Sequence, residues 1–308
     1  MTPVIQTHAL TKRYGRRTAL HGIDLTIESG RVFGVIGPNG AGKTTTMRVL
    51  LDIIRATSGE VRVLGADPRT GGPELRRRIG YLPGELALEG RATAHGLLRH
   101  YAELSGPVAV GRIEQLSERL GLDLTRPVRS LSKGNKQKVG LVQAFMHDPE
   151  LLVLDEPTSG LDPLVQQEFL TMVREARDAG RSVVLSSHVI SEIQQAADDV
   201  AVLRAGRIVD VSTVDRLRAA ARRSVRVTVR PDARDALLAR LGALPHLEGL
   251  RHEQLDGVVT IHGELGDGVA AFVAAVAESE PLDLVVQEPD LESAVLGFYG
   301  ALAEEGDR

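Results

Sequence analysis

The segment Gly37-Pro-Asn-Gly-Ala-Gly-Lys-Thr-Thr45 has the residue types and spacing of a loop that cradles phosphate. Gly37, Gly40 and Gly42, with Pro38, Asn39 and Ala41 between them, permit a backbone that aims successive N–H groups into one concavity. Phosphate oxygens sit in such a concavity, at the positive end of a helix dipole. Lys43 then reaches the β- and γ-phosphates and the Thr44 hydroxyl ligates Mg2+, with Thr45 beside it as a further phosphate-binding candidate. A second constellation lies at Leu151-Leu-Val-Leu-Asp-Glu-Pro157, where an apolar run ends in two carboxylates. Asp155 suits a water-mediated Mg2+ contact, and Glu156 suits orienting or polarising an attacking water. Alone, such a pair reads as a strand capped by solvated acids. Beside a phosphate loop, it reads as machinery for phosphoanhydride hydrolysis.

That chemistry needs a strand before the loop and a helix after it. Arg31–Ile36 is a short apolar run that reads as a buried strand, and Lys43–Ile54 follows with a helical pattern. Val4–Leu10, Gly22–Glu28 and Glu60–Gly65 read as further strands, and residues 93–145 as mostly helical. Apolar runs at Leu151–Leu154, Ser182–Ser186 and Val200–Leu203 are separated by helical patterns, which implies βαβ units and a parallel sheet. A hairpin is expected at Ala205-Gly206. From about Arg222 a second unit reads strand (Val225–Val229), helix (Ala233–Leu241), weak strand near Leu250, strand (Val258–His262), helix (Gly268–Glu278), strand (Leu284–Gln287) and helix (Leu291–Leu302). That order suggests a small ferredoxin-like α+β sandwich. The expected domains are therefore 1–220 and 221–308.

Composition narrows the function classes. The 308 residues are 43% hydrophobic and 25% charged, values of an ordinary globular chain with room for two cores. There is no cysteine, which excludes a disulfide scaffold, a thiolate metal site and a cysteine nucleophile. A net charge of −4 and only 3% aromatic residues give no reason to expect a nucleic-acid partner. The charge is unevenly spread: residues 221–308 carry 8 Arg and no Lys against 16 acids. Of 37 basic residues only five are lysine, Lys12, Lys43, Lys133, Lys136 and Lys138. The first residues lack a basic stretch followed by an apolar run, so no secretory signal is expected, and no run is long enough to span a bilayer.

Taken in order, these motifs resemble the ATP-binding subunits of ABC transporters over about residues 1–220. The loop at Gly37–Thr45 is similar to the family's Walker A motif and Asp155-Glu156 to its Walker B. Leu131-Ser-Lys-Gly-Asn-Lys-Gln137 resembles the signature L-S-G-G-Q-x-Q, and Ser159-Gly-Leu-Asp162 the D-loop. His188 resembles the switch histidine and Tyr14 the aromatic that stacks on adenine. The resemblance implies an α/β P-loop ATPase: a mostly parallel sheet core, an antiparallel β subdomain and a helical signature subdomain, followed by a small C-terminal α+β domain. It implies ATP and Mg2+ as cofactors, with Lys43, Glu156 and His188 catalytic and Thr44 and Asp155 holding the metal. Ser132, Lys133, Gly134 and Asn135 then serve the ATP held by a second protomer, in a head-to-tail homodimer, with Asp162 in the D-loop.

Three positions depart from the family pattern. Lys133 replaces the first signature glycine and Asn135 the glutamine. Both keep polar or cationic character, so the ATP contact is expected to survive. After Ile79-Gly-Tyr-Leu-Pro83 the family has a glutamine that contacts Mg2+ and water; here Gly84 and Glu85 stand instead. Glu85 either supplies that oxygen through a one-residue shift or is a solvated loop acid. The pattern looks most like type-2 exporters of antibiotics and other drugs, and the ending Glu288–Tyr299 is similar to that group's closing helix. This implies a separate transmembrane permease, docking near residues 84–100, and a chain without covalent membrane anchor on the cytoplasmic face of the membrane. An import ATPase and a soluble ABC ATPase acting on ribosomes or nucleic acid are the alternatives.

Overall fold

Alternating apolar and polar residues make the first two strands, β1 (Pro3–Tyr14) and β2 (Arg17–Glu28), whose connecting turn uses Gly15 at φ +56°. The uniformly apolar run that follows is β3 (Val32–Ile36), buried along its whole length as central strands of parallel sheets are. Gly42, at φ +113°, opens α1 (Lys43–Leu50). Then come β4 (Ser58–Val63), α2 (Gly72–Arg77) and β5 (Ile79–Leu82), and three helices, α3 (Ala94–Ser105), α4 (Arg112–Arg119) and α5 (Lys133–Phe145). The chain continues through β6 (Leu151–Asp155), α6 (Pro163–Asp178), β7 (Ser182–Ser187), α7 (Ile190–Ala196), the hairpin β8 (Asp199–Arg204) and β9 (Arg207–Thr213), and α8 (Val214–Ala220). The last elements are β10 (Arg223–Val229), α9 (Arg234–Gly242), β11 (Leu247–Leu255), β12 (Val258–Leu265), α10 (Val269–Ala277) and β13 (Asp283–Gln287). This computed structural model describes residues 3–220, 222–255 and 257–287. The expected helix Leu291–Leu302 and the segment Glu288–Tyr299 lie outside the described residues.

The chain divides into two units, Met1–Val214 and Asp215–Arg308. In the first, six strands form one sheet in the order β5-β6-β7-β3-β8-β9, parallel except where β9 returns antiparallel to β8. A smaller antiparallel sheet, β2-β1-β4, shares its core with this one: Val4, Ile5 and Leu20 pack in a cluster with Phe33, Met47, Leu151 and Val184. Because β3, β6 and β7 run in the same direction, the loops leaving their C-terminal ends emerge at one edge of the sheet, where ligands of open α/β sheets bind. The phosphate-loop segment leaves β3, the acidic pair ends β6, and His188 follows β7.

The second unit runs βαββαβ, with an antiparallel sheet in the order β11-β12-β10-β13. Val225, Val227, Val259 and Ile261 form a core with Leu237 and Leu241 of α9 and Phe272 and Val276 of α10. Among the described residues, no helix is long and apolar enough to cross a membrane.

Several element limits differ from the sequence expectations. Helix α1 stops at Leu50 rather than Ile54, because the chain turns back at Asp52, which takes φ +52°. Residues 93–145, expected to be mostly helical, hold three helices, two of them started by side-chain caps: Thr93 Oγ1 accepts from Gly96 N (3.1 Å) and Ser132 Oγ from Asn135 N (3.3 Å). Helix α2 and strand β5 were not expected as separate elements. The weak strand near Leu250 is a nine-residue strand, β11.

Candidate active site

Lys43, the first residue of α1, is buried, and its ammonium donates to Gly37 O (2.6 Å). The same Nζ lies 3.3 Å from Glu156 Oε1. The other oxygen of that carboxylate, Oε2, is 2.6 Å from His188 Nδ1. Three side chains from three different strand ends thus form one continuous polar chain, Lys43–Glu156–His188. Glu156 sits at φ +48°, a left-handed conformation that costs a non-glycine residue about 1–3 kcal/mol unless its surroundings hold it there. They do: Gln137 Nε2, from α5, donates to both Glu156 O (3.1 Å) and Pro157 O (3.0 Å). Ser186 Oγ accepts from Glu156 N (3.1 Å).

Asp155 is fully buried. Its Oδ1 accepts from Ser186 Oγ at 2.6 Å, a contact set by the β6–β7 register that pairs Asp155 with Ser186. Its Oδ2 has no hydrogen-bond partner. A Cβ on Gly84 would stand 3.1 Å from that oxygen, so the glycine after Pro83 lets the backbone pass close to the carboxylate. Burial first, and the Asp155 charge second, push the Tyr81 phenol above its usual range, which keeps it neutral beside the carboxylate.

These groups open onto a cleft of about 980 Å³. Residues Pro38 through Thr45 line it, and Gly37 stands just behind, where a Cβ would meet Leu203 O at 2.3 Å. Tyr14, Gly84, Glu85, Asp155, Glu156 and His188 line it too. Glu85 therefore faces the same space as the acidic pair. Tyr14 is half exposed, and Lys12 Nζ rests 4.9 Å from its ring centroid.

Comparison with known proteins follows the same line. The ABC transporter family model matches residues 20–159. The bacitracin transport ATP-binding protein BcrA of Bacillus licheniformis is 31% identical over 270 residues, covering 86% of this chain and 87% of that one. The chain belongs to the ATP-binding proteins of ABC transporters. A second ABC relative, the linearmycin resistance ATP-binding protein LnrL of Bacillus subtilis, is 29% identical over 307 residues, covering 96% and 98% of the two chains. A solved structure described as the ATP-binding subunit of an ABC transporter superposes with a TM-score of 0.65 at 28% identity, over 70% of this chain and 92% of its own. The fold is that of an ABC ATPase, the reading that the motifs implied.

The ABC signature segment lies apart from the P-loop. Ser132, Gly134 and Asn135 do not line the cleft; of the four signature positions only Lys133 does, along with Ser159. Helix α5 begins at Lys133, so Gly134 is in its first turn, and the Ser132 hydroxyl is the helix cap. Lys133 Nζ donates to Ser159 Oγ (3.0 Å), tying the start of α5 to the loop that follows β6. Asp162 caps α6, accepting from Val165 N (3.1 Å), and is also away from the cleft. The small size of Gly134 is required where it packs: a Cβ there would stand 2.5 Å from Gly160 O. Gly134→Ala is expected to destabilise the first unit by about 1–3 kcal/mol. A thermal melt should show the loss as a Tm lower by several degrees, and an unchanged Tm would mean that the Gly160 loop yields at no cost.

Two residues that hold the ABC site together were not read from the sequence as site residues. Gln137 closes the quoted signature, and its polar side chain amid the apolar positions of α5 is a signal that was available. Ser186 had no such signal, because its role depends on a strand register that only the fold reveals.

Proposed function

We propose that this chain is the ATP-hydrolysing motor of an exporter whose membrane-spanning permease is a separate protein. The observation that carries the reading is the polar chain Lys43–Glu156–His188 beside the buried Asp155, at the edge where three parallel strands end. Lys43 and the N–H groups of residues 38–45 bind the phosphates of ATP, with Tyr14 against the base. Glu156 orients the water that attacks the γ-phosphate and takes up its proton; His188, bonded to the same carboxylate, contacts the γ-phosphate and fixes where Glu156 points.

The residues present fit a divalent cation. Asp155 Oδ2 is a buried carboxylate oxygen without a protein donor, costly to bury unless a cation compensates it, and Thr44 lines the same cleft. Thr44 and Asp155 would hold Mg2+, which when bound neutralises charge on the phosphate oxygens. Glu85, facing that space, takes the place of the family's glutamine.

Ser132, Gly134, Asn135 and Asp162 do not line the cleft of the chain's own phosphate loop, which supports their serving, together with Lys133, the ATP of a second copy in a head-to-tail homodimer. Residues 1–220 are the motor and 221–308 an accessory domain. The relatives named for bacitracin transport and linearmycin resistance support an antibiotic or a lipid-like molecule as cargo. The permease docks near residues 84–100 and holds the chain at the cytoplasmic face of the membrane. Phosphate release from the chain reconstituted with its permease in liposomes tests the reading. Stimulation by the permease is expected; stimulation by RNA or ribosomes and not by the permease would overturn it.

A further inference from the structure

We propose that Arg17 is a nucleotide-binding residue, gripping the polyphosphate from the turn between β1 and β2. This rests on the reading of the cleft as the ATP site and adds to it a residue outside every motif quoted above.

The β1–β2 ladder pairs Tyr14 directly with Arg17. Side chains directly opposite in an antiparallel pair project from the same face of the sheet, so ring and guanidinium stand side by side. Both line the cleft. The guanidinium also reaches across to the phosphate loop: its Nη2 is 4.0 Å from the point where a Cβ on Gly40 would lie. Arg17 therefore reaches the loop whose N–H groups receive phosphate.

Three other cations near the cleft are already engaged. Lys12 Nζ donates to Arg55 O (2.7 Å), Lys43 is held by Gly37 O and Glu156, and Lys133 donates to Ser159. Among the described residues the Arg17 side chain makes no hydrogen bond or ion pair. Its charge is uncompensated at the place where a highly charged anion is to be bound. A guanidinium presents paired donors in a planar fork, a geometry that matches two phosphate oxygens. The wall carrying Tyr14 thus supplies a stacking surface for the base and, beside it, a cation for the phosphates.

Calorimetric titration of the full chain and its variants with ATP, ADP and adenosine tests this. Arg17→Ala is expected to weaken ATP and ADP binding about tenfold and to leave adenosine unchanged, with Arg17→Lys recovering part of the loss. Arg16→Ala, in the same turn, serves as the control and should bind as the wild type does. Wild-type affinity for ATP should also fall more steeply with added NaCl than that of Arg17→Ala. Arg17→Ala binding ATP as tightly as the wild type would make Arg17 a solvated surface residue. Equal losses for ATP and adenosine would place its contact at the sugar or base. Either result overturns the proposal while the cleft assignment stands. A wild-type chain that binds no ATP would overturn the cleft assignment and this inference together.

Discussion

Glu156→Gln is expected to lower ATP turnover roughly 10²–10⁴-fold, the range attributed to loss of a general base, while ATP still binds. The substitution keeps the size of the side chain and leaves intact the backbone bonds from Gln137 and Ser186 that hold residue 156 at positive φ. What it removes is the ability to accept a proton from water and the negative charge beside Lys43 and His188. Phosphate release at saturating ATP measures the turnover, and a parallel ATP titration shows that the site survives. A fall of less than tenfold would take the base role away from Glu156.

Lys43→Arg should weaken ATP binding by about a hundredfold although the charge is conserved. The ammonium is enclosed, only 6% exposed, and aims a single nitrogen at Gly37 O over 2.6 Å. A planar guanidinium is broader and carries its donors in a fork, so it cannot take that position without displacing the loop or Glu156. A purely Coulombic account predicts almost no change, which makes the variant discriminating; affinity within tenfold of wild type in an ATP titration would favour that account. The result bears on composition as well. Thirty-two of the 37 basic residues are arginine, so the chain uses arginine for most positive charge, and Lys43 stands where the shape of the cation decides.

The phosphate loop and the acidic pair were legible because each depends on a short run of residues: glycines at fixed spacing, and an apolar run ending in acids. Their neighbours on the sheet were not. Nothing local in Ser182–Ser187 says that Ser186 will meet Asp155, because the β6–β7 pairing is set by packing across segments distant in the chain. Strand β5 has only four residues and lacks alternation, being buried in a parallel sheet, so periodicity is silent there. The end of α1 was misplaced because a turn at Asp52 interrupts residues that still look helical. In the second unit the strands were readable from their alternation, whereas the length of β11 was hidden by its exposed, polar composition.

The position of β3 in the sheet also governs how the protein is made. Its two neighbours are β7 and β8: Val32 pairs with Val183 and Phe33 with Asp199. On a ribosome adding roughly 5–20 residues per second, on the order of ten seconds passes before either partner emerges. Throughout that interval Val32-Phe-Gly-Val-Ile36 is an apolar strand with both edges unpaired, the feature that invites association with other nascent chains. Nascent chains ending before β7 are therefore expected to bind holding chaperones and to lack a formed phosphate loop, so that nucleotide binding first becomes possible late in synthesis.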